Sequence, residues 1–320
     1  LAILLLLFLI MRLKMHAFIA LVLVSLATAL VSGIPLNEVM NVLLQGFGST
    51  LASVALLVGF GAMIGRLLEV TGGAQVLADR LIAGFGEKRA PLALGVTSLL
   101  FGFPIFFDAG LVVMLPIIFS VALRFGGSVL LYALPSAGAF AVMHAFVPPH
   151  PGPVAAGDLL GADIGLLLIV GLIVTVPTWY LGSYLFGLWA GKRFVIPVPE
   201  LLGADTSGKT VGPVPSFGQV MLVLLMPLAL IFLNTGLNTL ATIGIVDGEA
   251  GWVTAMRLLG QTPVALLITL LVAMSILGRG RTRSEIEKIV DRALGPICAI
   301  ILVTGAGGMF GGVLRSSGIG

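Results

Sequence analysis

Long apolar runs, separated by short polar turns, form most of the chain. The runs at residues 49–68, 129–147 and 164–190 reach the roughly 20 residues that an α-helix needs to cross a hydrocarbon core of about 30 Å. Similar or shorter runs lie at residues 17–31, 217–234, 263–277 and 295–314. The pattern predicts an all-α polytopic membrane protein.

Polar and amphipathic stretches separate the predicted spans. Residues 36–47 have their apolar positions at helical spacing, which predicts a short amphipathic helix along the membrane surface. The other stretches are predicted as a polar segment at residues 66–89, a loop at residues 192–216, and a charged loop with an amphipathic helix at residues 278–292.

The first of two breaks in the apolar pattern lies at residues 102–110, Gly-Phe-Pro-Ile-Phe-Phe-Asp-Ala-Gly. Each apolar arm beside it, at residues 91–103 and 111–123, is shorter than a full membrane crossing requires. Two short helical arms that meet at a broken tip indicate a re-entrant hairpin rather than two full crossings.

The second break, at residues 144–153, is the leading candidate for a binding site. Its sequence, His-Ala-Phe-Val-Pro-Pro-His-Pro-Gly-Pro, contains four prolines. Proline lacks an amide hydrogen and disfavours a helical residue before it, so the helix is predicted to break here. Irregular backbone at membrane depth is tolerated only where protein buries it or where it lines a watery cavity.

Composition and charge agree with this class of protein. The chain is 58% hydrophobic and 10% charged, whereas a soluble chain has about 25% charged residues. When the predicted spans alternate, only Arg257 and Arg315 of the 17 Lys and Arg residues fall outside, so the opposite side is predicted to be cytoplasmic. The basic residues lie in loops between spans, so the positive net charge does not indicate nucleic acid as a partner.

The sequence contains no pattern that indicates an enzyme. Its single cysteine, Cys298, lies in an apolar run, which argues against a disulfide framework and paired metal ligands. The sequence has no zinc-binding His-Glu-x-x-His, phosphate loop or nucleophile elbow. We therefore expect no metal and no cofactor.

An internal repeat is suggested by a shift of 246 positions (305 − 59 = 246). The shift superimposes Gly59, Gly61, Met63, Gly65, Leu68 and Gly72 on Gly305, Gly307, Met309, Gly311, Leu314 and Gly318. In the topology derived from the charges, the span of the first copy runs from outside to inside and that of the second copy from inside to outside. Inverted repeats are typical of secondary transporters, whose substrates bind near the membrane midplane between the halves.

The repeat predicts four parts and an incomplete second copy. The parts are N-terminal transmembrane helices at residues 1–35, a first inverted repeat at 36–190, a linking loop with transmembrane helices at 191–283, and the start of a second repeat at 284–320. Because the second copy stops before its own hairpin and break, we expect a fragment of a longer protein that supplies the other half of the site.

Asp108 is the one carboxylate deep within an apolar stretch. An intramembrane acid costs about 2.5–3.5 kcal/mol on insertion scales, which favours a role in proton coupling or substrate contact. The alternative, a helix N-cap for residue 109 onward, is compatible with that role.

Two histidines belong to the second break. His150 could exchange protons near neutral pH or donate to an anion. His144 lies about one turn before the break and could equally be a satisfied core histidine. Gly152 and the amides after Pro153 begin a new helix, and a helix N-terminus favours a carboxylate.

The hairpin supplies the remaining candidates, Ser98, Phe103 and Pro104. Ser98 could offer its hydroxyl to a substrate, although bonding back to its own helix is the simpler interpretation. Phe103 belongs to an aromatic cluster that is more often packing than substrate contact.

Three segments together resemble the gluconate permease family of gluconate:proton symporters: residues 57–66 (Leu-Val-Gly-Phe-Gly-Ala-Met-Ile-Gly-Arg), residues 102–110 and residues 144–153. The resemblance implies a bacterial inner-membrane transporter of the ion-transporter superfamily. It implies a scaffold, and a transport domain that has two hairpins and moves as an elevator. The substrates it implies are gluconate, related sugar acids and D-serine.

Three hypotheses follow for the function. The first is proton-coupled uptake of a gluconate-like acid, with the proton as the coupling ion and the lipid bilayer and a second copy of the chain as partners. The second keeps the fold and changes the cargo to D-serine or another small organic anion. The third is an intramembrane enzyme or a structural membrane module, for which Ser136 near His144 is the only weak nucleophile–base candidate.

Overall fold

The computed structural model describes residues 1–105, 107–198, 213–242 and 244–318, and within these ranges all regular structure is helical. Five helices are long and apolar enough to cross a membrane, or six if a bent pair counts as one span. The predicted all-α polytopic membrane protein is confirmed.

Fourteen α-helices make up these ranges. They are α1 Ala2–Leu7, α2 Ala17–Val31, α3 Leu36–Val70, α4 Gly73–Phe85, α5 Ala90–Phe101, α6 Phe107–Phe125, α7 Val129–Phe146, α8 Pro151–Leu159, α9 Ile164–Trp179, α10 Phe186–Arg193, α11 Phe217–Thr242, α12 Gly251–Gly260, α13 Thr262–Leu277 and α14 Arg283–Ser316. A π-helical turn at Phe8–Arg12 extends α1, and another at Tyr180–Leu185 joins α9 to α10. The pair α12 and α13 is bent by 69°.

The predicted surface helix at residues 36–47 is wrong, because these residues form the first part of the continuous 35-residue helix α3. Part of their apolar face is covered by protein, whereas Leu36, Met40 and Leu44 are exposed. Val39 and Leu43 are buried in a cluster with Met309 and Val313 of α14. The amphipathic pattern therefore marks a helix–helix interface.

The predicted polar segment at residues 66–89 is helical, and the amphipathic helix predicted within residues 278–292 is the start of a longer helix. Most of residues 66–89 belongs to the end of α3 and to α4, whose Leu77 and Ile82 are buried. The charged stretch at residues 283–292 begins α14, which a capping box between Thr282 and Glu285 starts. The Thr282 backbone amide, which donates to the Glu285 carboxylate at 2.7 Å, holds the pKa of Glu285 below its ordinary value.

The two longest helices, α3 and α14, pack against each other in opposite directions. Gly46 lies against Gly308, where an added Cβ would be 2.7 Å from the Gly308 carbonyl oxygen, and against Gly312. Farther along α3, Leu51 contacts Gly305. Residue numbers rise on one helix as they fall on the other, and the small residues let the two backbones approach closely.

The largest hydrophobic core joins α3 to the helices around it, and its fully buried members include Leu67, Leu94, Ile118, Phe140 and Leu266. Around this core, α5 and α6 form a helical hairpin. Its two ends meet where Glu87 lies 3.8 Å from Arg124. Helix α7 packs along the hairpin, and the Phe140 ring fills the space beside Gly102 and Gly110.

A tryptophan holds α9 to this group of helices. The Trp179 indole N–H donates to the Pro135 carbonyl of α7 at 2.8 Å. The same ring occupies the space that a side chain at Gly95 of α5 would need. The contacts tie α5, α7 and α9 into one unit and thereby position the ends of α5 and α7.

Candidate functional site

The two predicted breaks meet in the structure. The Nε2 atom of His150 lies 2.9 Å from the carbonyl oxygen of Gly102. A carbonyl can only accept, so Nε2 carries the hydrogen and donates it. His150 is 3% exposed, and the two residues are 48 positions apart in the chain. The contact joins the tip of the hairpin to the break between α7 and α8.

Local sequence explains why each chain segment turns at this point. Helix α5 ends where the Gly102 amide donates to the Ser98 carbonyl at 2.8 Å, and Pro104 follows two residues later. Helix α7 ends at Phe146, and α8 starts with Pro151 at its first position, where the missing amide hydrogen costs nothing. His150 is therefore the residue just before α8, held by the two helix ends.

Helix α3 covers the junction with two glycines one turn apart. A Cβ added at Gly61 would lie 3.3 Å from Pro149 Cγ and 3.7 Å from the Pro104 oxygen. A Cβ added at Gly65 would overlap Ile105 and lie 3.1 Å from the Pro104 oxygen. Glycine fits here because the hairpin backbone at Pro104 and the side chains of Ile105 and Pro149 approach α3 closely.

The second histidine, His144, lies beside the first. The centroids of the His144 and His150 rings are 4.7 Å apart, with the ring planes tilted by 53°. His144 is half-buried on the last turn of α7, whereas His150 is buried in the break. The structure thus brings together two side chains that can each bind a proton.

The start of α8 offers one donor in its first turn. Pro151 and Pro153 have no amide hydrogen, and the Val154 amide donates to the His150 carbonyl at 3.2 Å. Gly152 is exposed and has open space where a side chain would stand. The predicted carboxylate cradle thereby reduces to the amide of Gly152.

The hairpin candidates differ in their surroundings. Ser98 is fully buried, and its hydroxyl makes no hydrogen bond to the described part of the chain, so the expectation that it bonds back to its own helix is wrong. Its neighbour Thr97 does bond back, to the Ala93 carbonyl at 2.8 Å. Phe103 packs beside Met143 and lines an apolar cavity of about 180 Å³, as its packing interpretation expects. Pro104 is buried at the junction.

Asp108 belongs to the first turn of α6. An acidic residue there is favoured by the helix dipole. The position of its side chain lies outside the described part of the structure, so its role in coupling stays a prediction.

The glycines paired by the repeat differ in their contacts. Gly59 and Gly307 face open space, and Gly305 lies against Phe47. Gly61 alone among these four contacts the junction.

Sequence reasoning did not place two residues at the junction. Gly65 lies in a glycine-rich run whose small residues favour close helix packing, but the run does not indicate that the hairpin tip is the packing partner. Phe140, between Gly102 and Gly110, lies in a mostly apolar helix where no local pattern distinguishes it.

These observations define a class of protein, a multi-pass helical membrane protein with a buried junction between two interrupted helical segments. A family model described as GntP family permease matches residues 1–320, and the chain belongs to that family. The predicted resemblance to gluconate permeases is confirmed.

Similar proteins agree with the family assignment. A high-affinity gluconate transporter of Escherichia coli (strain K12) is 38% identical over 99% of this chain and 71% of its own length. An inner membrane permease of the same organism, YgbN, is 37% identical over 99% and 71%. The Gnt-II system L-idonate transporter of that organism is 34% identical over 99% and 71%. The chain is accordingly a multi-pass inner-membrane protein of a transporter family, not an enzyme.

Proposed function

We propose that this protein takes up gluconate or a related sugar acid by proton symport. Similar proteins named as gluconate and L-idonate transporters support the substrate class. The observation that carries the proposal is the 2.9 Å contact between His150 and the Gly102 carbonyl, which joins two helix breaks at a buried point. Interrupted helices of this kind form the substrate sites of many secondary transporters.

The substrate carboxylate binds at the start of α8 in this proposal. The Gly152 amide and the positive end of the helix dipole attract the anion. Open space beside Gly152 leaves room for a ligand, whereas the buried faces of Pro104 and Pro149 do not. The buried hydroxyl of Ser98, one turn before the hairpin tip, makes no hydrogen bond to the described residues and would bond a sugar hydroxyl once movement of the hairpin exposes it.

The proton is taken up by the histidine pair together with Asp108. Two imidazole rings at 4.7 Å repel each other when both are charged, so the pair holds one proton more readily than two. A change in that proton alters the bond from His150 to Gly102. Proton binding is thereby coupled to the hairpin tip.

The transporter contains an inverted repeat that begins with the first helices. Shifted by 246 positions, residues 17–31 fall on 263–277 and residues 36–70 fall on 282–316. These ranges match α13, Thr262–Leu277, and α14, Arg283–Ser316, to within one residue at each end. The antiparallel packing of α3 on α14 supports a twofold relation between the copies. We therefore extend the first copy to include residues 1–35.

The hairpin α5–α6 is re-entrant in this proposal and starts from the cytoplasmic side. Its open end contains Lys88, Arg89 and Arg124, which the positive-inside rule assigns to the cytoplasm. Its tip reaches the junction with His150 inside the protein.

Uptake of labelled gluconate by the full-length protein, in cells without other gluconate transporters, tests the proposal. We expect a protonophore to abolish uptake and sodium removal to leave it unchanged. We expect His150→Gln to lower uptake at least about tenfold, because the substitution removes a buried hydrogen bond from a side chain that can carry a charge. His16→Gln, an exposed histidine outside the junction, is the matched control.

Membrane content and melting temperature of both variants separate lost transport from lost folding. Uptake that follows sodium would refute proton coupling. Full activity of a correctly folded His150→Gln protein would refute the role of the junction. Competition by L-idonate and D-serine against labelled gluconate then defines the cargo.

A further inference from the structure

A polar cavity lies at the opposite end of the hairpin from the His150 junction. It has a volume of about 710 Å³ and opens between the ends of α5 and α6, the start of α7, and α10. Its polar lining consists of Glu87, Lys88, Arg124, Tyr132, Tyr184 and Lys192. We call it the basal cleft. Helix α5 has 12 residues, so the cleft and the junction are about 18 Å apart along it.

Positive charge predominates in the basal cleft. Lys88, Arg124 and Lys192 face one carboxylate, Glu87. The Glu87–Arg124 pair has a 3.8 Å separation and side chains that are 70% and 71% exposed, so their mutual attraction is weak. The cleft therefore attracts an anion, and the cations come from three separate segments of the chain.

The wall of the cleft is held by hydrogen bonds before any ligand arrives. The Tyr132 hydroxyl donates to the Gly126 carbonyl at 2.9 Å. The Ser128 hydroxyl accepts from the Ile196 amide at 3.0 Å, and the Val129 amide donates to the Ile196 carbonyl at 2.9 Å. The turn between α6 and α7 is thus fixed to the segment that follows α10, and binding need not order it first.

Aromatic residues place the cleft at the level of a membrane–water interface. Trp189 is 58% exposed and Phe186 is 50% exposed, both on α10, next to the cationic end of the span Ile164–Arg193. Exposed aromatic rings beside Lys and Arg residues are typical of the headgroup level. The apolar side chains of Pro91, Leu131 and Leu188 complete the cleft wall.

We propose that the basal cleft binds the phosphate headgroup of an anionic phospholipid of the cytoplasmic leaflet. Lys88, Arg124 and Lys192 pair with the phosphate, and the apolar wall receives the glycerol and the first acyl carbons. Basic pockets between transmembrane helices on the cytoplasmic side recognise anionic headgroups by the same chemistry. A bound lipid bridges the hairpin ends and α10, and thereby stabilises the folded protein.

Lipid titration of the full-length protein in neutral detergent tests the proposal. Dioleoyl phosphatidylglycerol is compared with dioleoyl phosphatidylcholine, by melting temperature and by native mass spectrometry of bound lipid. We expect phosphatidylglycerol to raise the melting temperature with increasing concentration, as a ligand of the folded state does, and phosphatidylcholine to have a smaller effect. Arg124→Gln combined with Lys192→Gln should raise the apparent dissociation constant for phosphatidylglycerol about tenfold or more.

Two control proteins separate the cleft from general surface charge. Arg279→Gln combined with Arg292→Gln removes two exposed cations elsewhere and should retain lipid binding. Arg124→Lys combined with Lys192→Arg keeps the charge and should retain most of it, including where the Gln double variant does not fold.

Four results would overturn the proposal. The first is equal binding of the two lipids, and the second is unchanged phosphatidylglycerol binding by the Gln double variant. The third is a charge-conserving variant that loses as much binding as the Gln double variant. The fourth is displacement of the lipid by glycerol 3-phosphate or gluconate at equal concentration. The last result would assign the cleft to a soluble anion.

Discussion

At the scale of single residues, the sequence predicts where a helix breaks, whereas only the structure shows which residues the break brings into contact. The prolines of residues 144–153 predict the break, because proline cannot continue the helix. They do not predict that His150 donates to Gly102, because that contact joins residues 48 positions apart. Ser98 and Thr97 are adjacent, buried hydroxyls, yet only Thr97 bonds back to its helix. Such differences depend on the neighbouring helices.

Gly65 allows the sharpest test at this scale, with Gly59 on the same helix as its control. A methyl group at Gly65 would overlap Ile105 and press on the Pro104 backbone, so Gly65→Ala should displace the hairpin tip. We expect a lower melting temperature and at least a tenfold loss of gluconate uptake, roughly 1.4 kcal/mol or more. Gly59 faces open space, so Gly59→Ala should be neutral or stabilise by about 0.5–1 kcal/mol. Equal behaviour of the two variants would contradict close packing of α3 on the junction.

At the scale of elements, the apolar pattern predicted most spans but misjudged the continuity of the longest helices. The amphipathic start of α3 resembles a membrane-surface helix, and only its packing on α14 shows that it continues inward. The amphipathic helix predicted within residues 278–292 begins at the Thr282–Glu285 capping box, but the pattern did not show that it continues into the following span as α14. An amphipathic pattern alone does not show whether the apolar face of a helix lies on the membrane surface or against a neighbouring helix.

Ser128 connects two such elements and allows a stability test. Its hydroxyl accepts from the Leu130 amide at the start of α7 and from the Ile196 amide after α10. Ser128→Ala removes both bonds and should destabilise the protein by about 1–2 kcal/mol, as loss of a helix cap does. Ser275→Ala is the control, because that exposed hydroxyl only bonds back to Leu271 within its own helix. Thermal unfolding of the full-length protein in detergent measures both, and a similar melting temperature for the two would argue against Ser128 as a link between elements.

At the scale of the whole molecule, the sequence predicted the membrane spans more completely than the internal repeat. Apolar length alone identified a multi-pass membrane protein. Identities at a shift of 246 positions pointed to a repeat, and the ends of α13 and α14 support a longer repeat unit than the identities did. The meeting of hairpin tip and break was not predictable, since it depends on how Phe140 of α7 packs against the hairpin and how α3 packs against Ile105 and Pro149.

Orientation in the membrane is the largest-scale prediction, and cysteine labelling tests it directly. If the predicted spans alternate and the basic loops are cytoplasmic, residue 279 lies inside and residues 162 and 249 lie outside. All three side chains are exposed, and the predicted topology places them in loops outside the bilayer. Each is therefore open to a water-soluble reagent. The test uses Ala162→Cys, Glu249→Cys and Arg279→Cys, each in a Cys298→Ser background.

A membrane-impermeant maleimide should label the first two variants in intact spheroplasts and the third only after permeabilisation. Arg80→Cys, on the exposed face of α4, should behave like Arg279→Cys, because α4 precedes the hairpin on the same side. Labelling of position 80 from outside, with position 279 protected, would mean that α3 and α14 cross the membrane in the same direction. That result would exclude the inverted repeat, and it would also move the basal cleft away from the cytoplasmic leaflet. Protection of positions 80 and 279 with labelling of 162 and 249 requires α3 and α14 to cross in opposite directions, the arrangement that their antiparallel glycine contacts support.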